Sequence, residues 1–403
     1  MKKFLVVAIA ICVMTYSASA LTFKTGNARA NALGGAYTAL GEGSLGAFYN
    51  PAALAGQKGF DLTFGFNAGM DNYVNEDVIK DVDDFIDLLD KTYNTLGEAN
   101  AAYNQASVLF QKIQNQVNGN PYLVKVEPDF DFGLRFKNFS LYAATTNIAY
   151  VNANLDSFVL NGTDLQPNDT TTISGYASVI GEVGLSYGFN CGKLTDSLKQ
   201  LDMGLTIKGI GGVNKALTRQ LKNFDDFAED DLEIDEVSLD NIEVSCDLGL
   251  RYSSKDNKFS IGIIGKNLTS PKVDSSDETN GFEIKIDPMV RIGICWKPFK
   301  RITFAADIDL TENEVAVFEN VKYKSQQFGA GLEIRPFNWK RFDLPIRVGY
   351  STNMAESGSS NVITGGIGIK LPVVCIDISG GIDDGFEYKE REKFGNVNIS
   401  LYW

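Results

Sequence analysis

The chain predicts an all-β protein, an antiparallel transmembrane β-barrel of about fourteen strands with a helical hairpin inserted in the first outer loop. Three observations predict it. Strand-length runs alternate apolar and polar residues along most of the chain, the connections between runs alternate between tight and long, and no stretch approaches the roughly 18 or more consecutive apolar residues of a membrane helix.

The first residues are Met-Lys-Lys, followed by an apolar run from Phe4 to Met14 and by Ala18-Ser19-Ala20. This is the pattern of a secretory signal peptide cleaved after Ala20, too short to remain as an anchor. Removing Lys2 and Lys3 takes the formal charge from -14 to -16, so the mature chain is acidic and is not built to hold nucleic acid by its phosphates. Four cysteines survive cleavage, Cys191, Cys246, Cys295 and Cys375, with no close pair among them. They read as small apolar residues, not as a disulfide framework. Histidine is absent, which removes the usual catalytic base and the usual metal ligand together.

From Ala28 to Ala55 the chain is crowded with Gly and Ala and ends in Asn50-Pro51-Ala52. Asn is a favoured helix N-cap and Pro fits the first helical position, so a short helical turn is expected at Pro51. Small residues on either side let the segment pack closely against a surrounding wall. Phe60, Leu62, Phe64, Phe66, Ala68 and Met70 then alternate with polar or small residues, the period of a strand with one apolar face.

Between Asn75 and Asn118 the texture changes. Val82, Phe85, Ile86, Leu89, Tyr93 and Leu96 recur at helical spacing, as do Tyr103, Ala106, Phe110, Ile113 and Val117, with Gly97 between the two sets. Two helices forming a loop insert are expected, with Asp81, Asp83, Asp84, Asp87 and Asp90 on their solvated faces.

From Pro121 onward alternating runs succeed one another to the C-terminal Val397, Ile399, Leu401 and Trp403. One of them is expected to run from Ile284 to Trp296. Tight connections fall near Asn138, Asp256, Phe299 and Pro372, and long polar ones at 75–118, 152–172, 216–240 and 384–393. Short periplasmic turns and long outer loops are the asymmetry of an outer-membrane barrel, and a soluble sandwich has no reason to alternate in this way. Trp296, Trp339 and Trp403 all fall at the expected short-turn end, where an indole can sit at the membrane interface. The polar faces carry Asp202, Lys208, Glu243, Asp247, Arg251, Asp307, Asp309, Glu333, Arg335 and Arg347, tolerable only toward a hydrated or filled lumen.

No constellation points to catalysis, a cofactor or a metal. The glycines Gly34, Gly35, Gly41, Gly43 and Gly46 lack the ending of a phosphate loop, and Gly365-Gly366-Ile367-Gly368 lies within a strand. The acidic run from Asp225 to Glu236 lacks calcium-loop spacing and reads as a solvated loop.

The Gly/Ala-rich segment ending in Asn50-Pro51-Ala52, followed at once by a barrel strand, resembles the FadL-type outer-membrane proteins. The resemblance implies a fourteen-strand barrel in a Gram-negative-type outer membrane, embedded in lipid, with Asn50, Pro51 and Ala52 as the motif of an internal hatch and Gly34 and Gly35 as its close-packed turn. It implies residues 1–20 as signal peptide, 21–58 as hatch and 59–403 as barrel. Passive uptake of a hydrophobic small molecule such as a long-chain fatty acid is the implied activity, and the C-terminal aromatic strand is the implied contact with the barrel-assembly machinery. The insert at 75–118 looks closer to the TraF-like branch. With PorV-like relatives, that branch implies the alternative of a scaffold for protein secretion, surface attachment or conjugal transfer.

Overall fold

The computed structural model describes residues 26–72, 76–89, 91–117, 124–168, 171–220, 242–273, 284–318, 321–339, 341–355, 361–383 and 393–403. The expected signal peptide at 1–20, the acidic run Asp225 to Glu236 and most of the loop at 384–393 lie outside these residues.

Two short helices come first, α1 at Ala28–Ala32 and α2 at Gly46–Tyr49, then a 3-10 turn at Pro51–Leu54. Strand β1, Phe60–Asn72, is followed by α3 at Glu76–Leu89 and α4 at Leu96–Val117. Next come β2 Val124–Phe136, β3 Phe139–Asn154, β4 Phe158–Asn161, β5 Asp164–Pro167, β6 Thr172–Asn190, β7 Leu201–Gln220, β8 Glu243–Ser253 and β9 Phe259–Lys266. After β10 Lys272–Val273 and β11 Ile284–Lys285, the chain continues through β12 Met289–Phe299, β13 Ile302–Asp309, β14 Asn313–Phe318 and β15 Val321–Ser325. It ends with β16 Gln327–Trp339, β17 Phe342–Asn353, β18 Asn361–Lys370, β19 Val374–Asp383 and β20 Lys393–Tyr402.

Fourteen of these strands close into one barrel, in the order β1-β2-β3-β6-β7-β8-β9-β12-β13-β16-β17-β18-β19-β20. Closure is made by β1 against β20, antiparallel from Asp61 opposite Tyr402 to Met70 opposite Lys393, so neither terminal strand leaves an edge unpaired. The remaining six strands form three two-stranded ribbons, β4-β5, β10-β11 and β14-β15, all in connections at the end of the barrel opposite the chain's C-terminus. At the other end the connections are shorter. Between β2 and β3 only Lys137 and Asn138 intervene, with Lys137 in the left-handed region.

The expected run from Ile284 to Trp296 is two elements. Ile284 and Lys285 pair with Val273 and Lys272 in a ribbon, and the barrel strand starts at Met289. Pro288 just before it cannot donate to a ladder, which is reason enough for the break. Gly97, expected between two helices, is instead the second residue of α4. The break falls before Thr95, whose hydroxyl accepts from the Glu98 amide at 3.2 Å while the Glu98 carboxylate accepts from the Thr95 amide at 3.2 Å. That reciprocal pair is a capping box. The two helices meet through Phe85 and Phe110, with ring centroids 5.4 Å apart, and pack on Phe158 and Leu165 of the β4-β5 ribbon.

The barrel is inside-out relative to a water-soluble fold. Phe64, Leu185, Leu248, Val348 and Ile378 are exposed on the outer face, while Lys208, Asp247, Glu333 and Arg347 are buried on the inner one. Only a surrounding lipid makes that outer face favourable, and only internal pairing makes the inner face tolerable. Lys208 lies 3.0 Å from both Glu182 and Asp247, and Arg291 pairs with Asp309. Glu243, expected on the polar face, is exposed at the first position of β8. The four cysteines are free, as small apolar residues should be.

Candidate functional site

Residues 28–55 are almost wholly buried and make an apolar cluster of their own, in which Leu33, Tyr37, Leu40, Phe48, Tyr49 and Leu54 are joined by Tyr142 and Cys295 from the strands. The segment is short of regular structure, so its backbone polar groups need other partners. They find them on inward-facing side chains of the barrel. Asp307 accepts from the amides of Tyr37 and Thr38, both at 2.8 Å; Thr364 donates to the Ala32 carbonyl at 3.1 Å; Ser140 donates to the Ser44 carbonyl at 2.9 Å; and the Ala28 amide donates to Asn398.

Asn50 makes three contacts at once. Its Oδ1 accepts from the Ala52 amide at 3.0 Å, which caps the 3-10 turn, while its Nδ2 donates to the carbonyls of Thr38 at 3.0 Å and Leu250 at 3.1 Å. Asn50 therefore ends α2 through its backbone amide, which donates to the Gly46 carbonyl, while its side chain starts the next turn and fastens it to Thr38 and β8. Pro51 opens the turn at a position that needs no donor. Pro51 and Ala52 lie so close to the wall that a Cβ at Gly204 would fall on their backbone, and one at Gly249 would fall on Asn50.

Gly34 and Gly35 both sit in the left-handed region, with φ of 68° and 83°. A Cβ at Gly34 would also collide with the Tyr350 carbonyl, whereas Gly35 has open space around it. Gly34 abuts β16 and β17, so it fastens the segment at a different arc of the wall from Asn50. The two parts of the sequence-expected site are separate anchors and do not meet.

A third anchor was not legible in advance. Arg29 forks onto Glu333, with Nε–Oε2 of 2.8 Å and Nη2–Oε1 of 3.0 Å, and its Nη1 reaches Glu42 at 2.6 Å. Glu333 also receives Arg347 at 2.8 Å and Arg335 at 2.9 Å, and Arg347 continues to Asp377 at 2.6 Å. Desolvation by the surrounding wall opposes charge on Glu42 although its side chain is half-exposed, yet Arg29 and Lys297 hold its carboxyl well below the usual carboxylate range. Burial likewise pushes the Tyr37 hydroxyl up to about 12, against the pull of Arg29. The available signal was weak: Arg29 is a lone cation in a Gly/Ala-rich stretch, and Glu333 is one of many polar-face carboxylates.

Two cavities frame the segment. One, of about 560 Å³, lies at the short-turn end and is lined by Glu42, Lys58, Asp61, Arg135, Arg251, Lys297 and Lys370 among others. The other, of about 520 Å³, is an apolar groove on the outer face, lined by Phe64, Gly65, Phe66, Phe130, Phe132, Ala143, Val397 and Ile399, with Asp131 and Thr145 its polar members. Beside this groove the β2–β3 ladder lapses: Lys125 pairs with Tyr150 and Val126 with Ala149, but pairing resumes only at Asp131 and Ala144. Pro128 lies in the gap and has no amide to donate. Side chains take over there, Asp129 accepting from the Asn147 amide at 3.0 Å and Thr145 from the Phe130 amide at 2.8 Å. Gly65 forms part of the groove on one side, and on the other a Cβ built on it would lie 2.6 Å from the Gly26 carbonyl. The wall between the groove and the N-terminal segment is one backbone thick.

Comparison with solved structures gives the same architecture. The chain is 13% identical to a structure titled TodX deltaS2S3 mutant monoaromatic hydrocarbon channel, at a TM-score of 0.50 over 93% of this chain and 98% of that one. It is 12% identical to the Pseudomonas putida toluene transporter TodX, with a TM-score of 0.46 over 93% and 96% of the two chains. With a Pseudomonas aeruginosa FadL homologue it shares 10% identity, at a TM-score of 0.46 over 96% and 99%. No curated protein matches the chain. A family model described as F plasmid transfer operon, TraF, protein matches residues 47–309, more than half the length, and starts inside the segment that carries Asn50-Pro51-Ala52. With that match the chain belongs to this TraF family, and it is an outer-membrane β-barrel protein whose closed fourteen-strand barrel has the fold of the TodX channel structure.

Proposed function

We propose that the protein passes hydrophobic compounds, long-chain fatty acids being the test case, from the outer membrane into a barrel that residues 26–58 occlude as a hatch. The observation that carries this reading is the apolar groove at Phe64, Phe130 and Ile399, which lies beside the interrupted β2–β3 ladder and backs onto Gly26. An apolar molecule partitioned in lipid meets there an apolar surface of ligand size, and a wall whose backbone hydrogen bonds are partly replaced by side chains. Its way inward is blocked by the segment fastened through Asn50, Arg29 and Gly34, so passage requires that segment to shift.

Ala143 lies in the groove on the outer face, where a larger side chain fills space without entering the polar interior. Equilibrium binding of a fluorescent long-chain fatty acid to the detergent-purified protein is expected to be saturable and to fall at least tenfold in Ala143→Trp, with heat-modifiable gel mobility showing both proteins folded. Unaltered binding in that variant, or none in the parent, overturns the reading.

The second reading is a scaffold for protein secretion, surface attachment or conjugal transfer. It is favoured by the family match and by α3 and α4, which with the β4-β5 ribbon build a separate apolar core at the long-loop end. Crosslinked pull-downs from cells carrying the protein with and without residues 75–118 test it, and identical partner sets count against it.

A further inference from the structure

The cavity at the short-turn end does not suit the apolar ligand proposed above. Nine basic side chains and four acidic ones line it, in a chain whose formal net charge is -14. Several of the cations are neutralised in place, Arg29, Arg335 and Arg347 by Glu333. Lys58, Arg135 and Lys370, by contrast, make no ion pair among the described residues. They lie along one arc of the wall: Lys370 sits 5.0 Å from the Tyr402 ring, Tyr402 is opposite Asp61, Asp61 is opposite Arg135, and Arg135 donates to the Lys58 carbonyl at 3.2 Å.

Two atoms on this arc are buried and without partners. Arg135 is 5% exposed and its Nε has no acceptor; Asp61 is 1% exposed and its Oδ2 has no donor, although Oδ1 is engaged by Ser44 and Thr63. An unsatisfied donor and an unsatisfied acceptor on neighbouring positions are each costly alone. A carboxylate or sulfate answers only the donor, because it presents lone pairs to Asp61 as well. A phosphate that keeps one proton answers both, its anionic oxygens accepting from Arg135 and its P–OH donating to Asp61. The cavity's roughly 560 Å³ leaves room for an organic group beyond the phosphate itself.

We infer that this cavity is a binding site for a small phosphate monoester, taken from the periplasmic side, with Arg135 and Asp61 reading the phosphate and Lys58 and Lys370 attracting it. The site is independent of the fatty-acid reading, since it uses neither the groove nor Ala143.

The test is isothermal titration of the full-length protein in neutral detergent at low salt with glycerol 1-phosphate, inorganic phosphate and sulfate. The monoester is expected to bind most tightly and sulfate at least tenfold more weakly than inorganic phosphate. Lys58→Gln with Lys370→Gln, both at the cavity mouth, is expected to weaken the monoester at least tenfold. Asp61→Asn is expected to close the gap between phosphate and sulfate. Equal binding of sulfate and phosphate, an unaltered affinity in the double variant, a gap that survives Asp61→Asn, or no heat with the monoester by a folded barrel overturns the inference.

Discussion

Arg29 carries more of the segment's attachment than its surroundings suggest. Its guanidinium ties the segment directly to Glu333, and its planar fork matches that carboxylate in two hydrogen bonds. Removing one partner of a buried pair typically costs 3–5 kcal/mol because the other charge stays behind unpaired. Here Glu333 keeps Arg335 and Arg347, so the loss belongs at the low end of that range. Arg29→Ala is expected to destabilise the folded barrel by about 3 kcal/mol in reversible denaturant unfolding, and Arg29→Lys by less, since it keeps the charge and loses the fork. A change within 0.5 kcal/mol for Arg29→Ala contradicts this account. Asn50 works differently. It is uncharged, and its three hydrogen bonds join elements distant in sequence, which is why a short Asn-Pro-Ala motif can mark the segment so plainly.

At the scale of elements, the fit between the segment and the wall is written into the strands as glycines. Gly204, Gly249, Gly262, Gly293, Gly329 and Gly349 occupy inward positions where a Cβ would collide with residues 33–52 or with Asp307, which binds them. Gly204→Ala is expected to push Pro51 off the wall, at roughly the 1–3 kcal/mol of an overpacked core, and to raise the frequency of open-channel events in a planar bilayer. Gly395→Ala, with nothing within 4 Å of the added carbon, is the matched control and should leave the channel unchanged. Equal behaviour of the two variants would show that the close contact at Gly204 does not hold the segment. These glycines also mark a limit of sequence reading. Alternation revealed the strands because Phe64, Leu185 and Val348 must face lipid and Asp247 and Glu333 must not. It could not say which inward glycines touch the segment, because a missing side chain leaves no periodic signal of its own. The split at Pro288 and the cap at Thr95 are written in local backbone chemistry, a missing amide and a Thr three residues before Glu98, to which apolar spacing is blind. The gap beside Pro128 and the Arg29–Glu333 pair depend on contacts between residues far apart in the chain, which no local pattern encodes.

For the whole molecule, the barrel's ladder is complete without the N-terminal segment: all fourteen strands pair with one another, and β1 closes on β20 starting at Asp61, beyond the segment's last residue. The inner face, in turn, is charged and hydrogen-bonding, so the space vacated by the segment would fill with water and not collapse. Internal ion pairs such as Lys208 with Glu182 and Asp247 lie between strands and do not need the segment to balance them. A barrel lacking residues 28–55 is therefore expected to fold, to keep its heat-modifiable mobility, and to conduct ions in a planar bilayer with a larger single-channel step than the full-length protein. The segment supplies most of the apolar cluster inside the wall, which itself adds Tyr142, Ala144 and Cys295. A folded deletion variant with unchanged conductance would mean that something other than this segment blocks the lumen, and would remove the hatch from the transport reading while leaving the barrel and its lipid-facing groove as described.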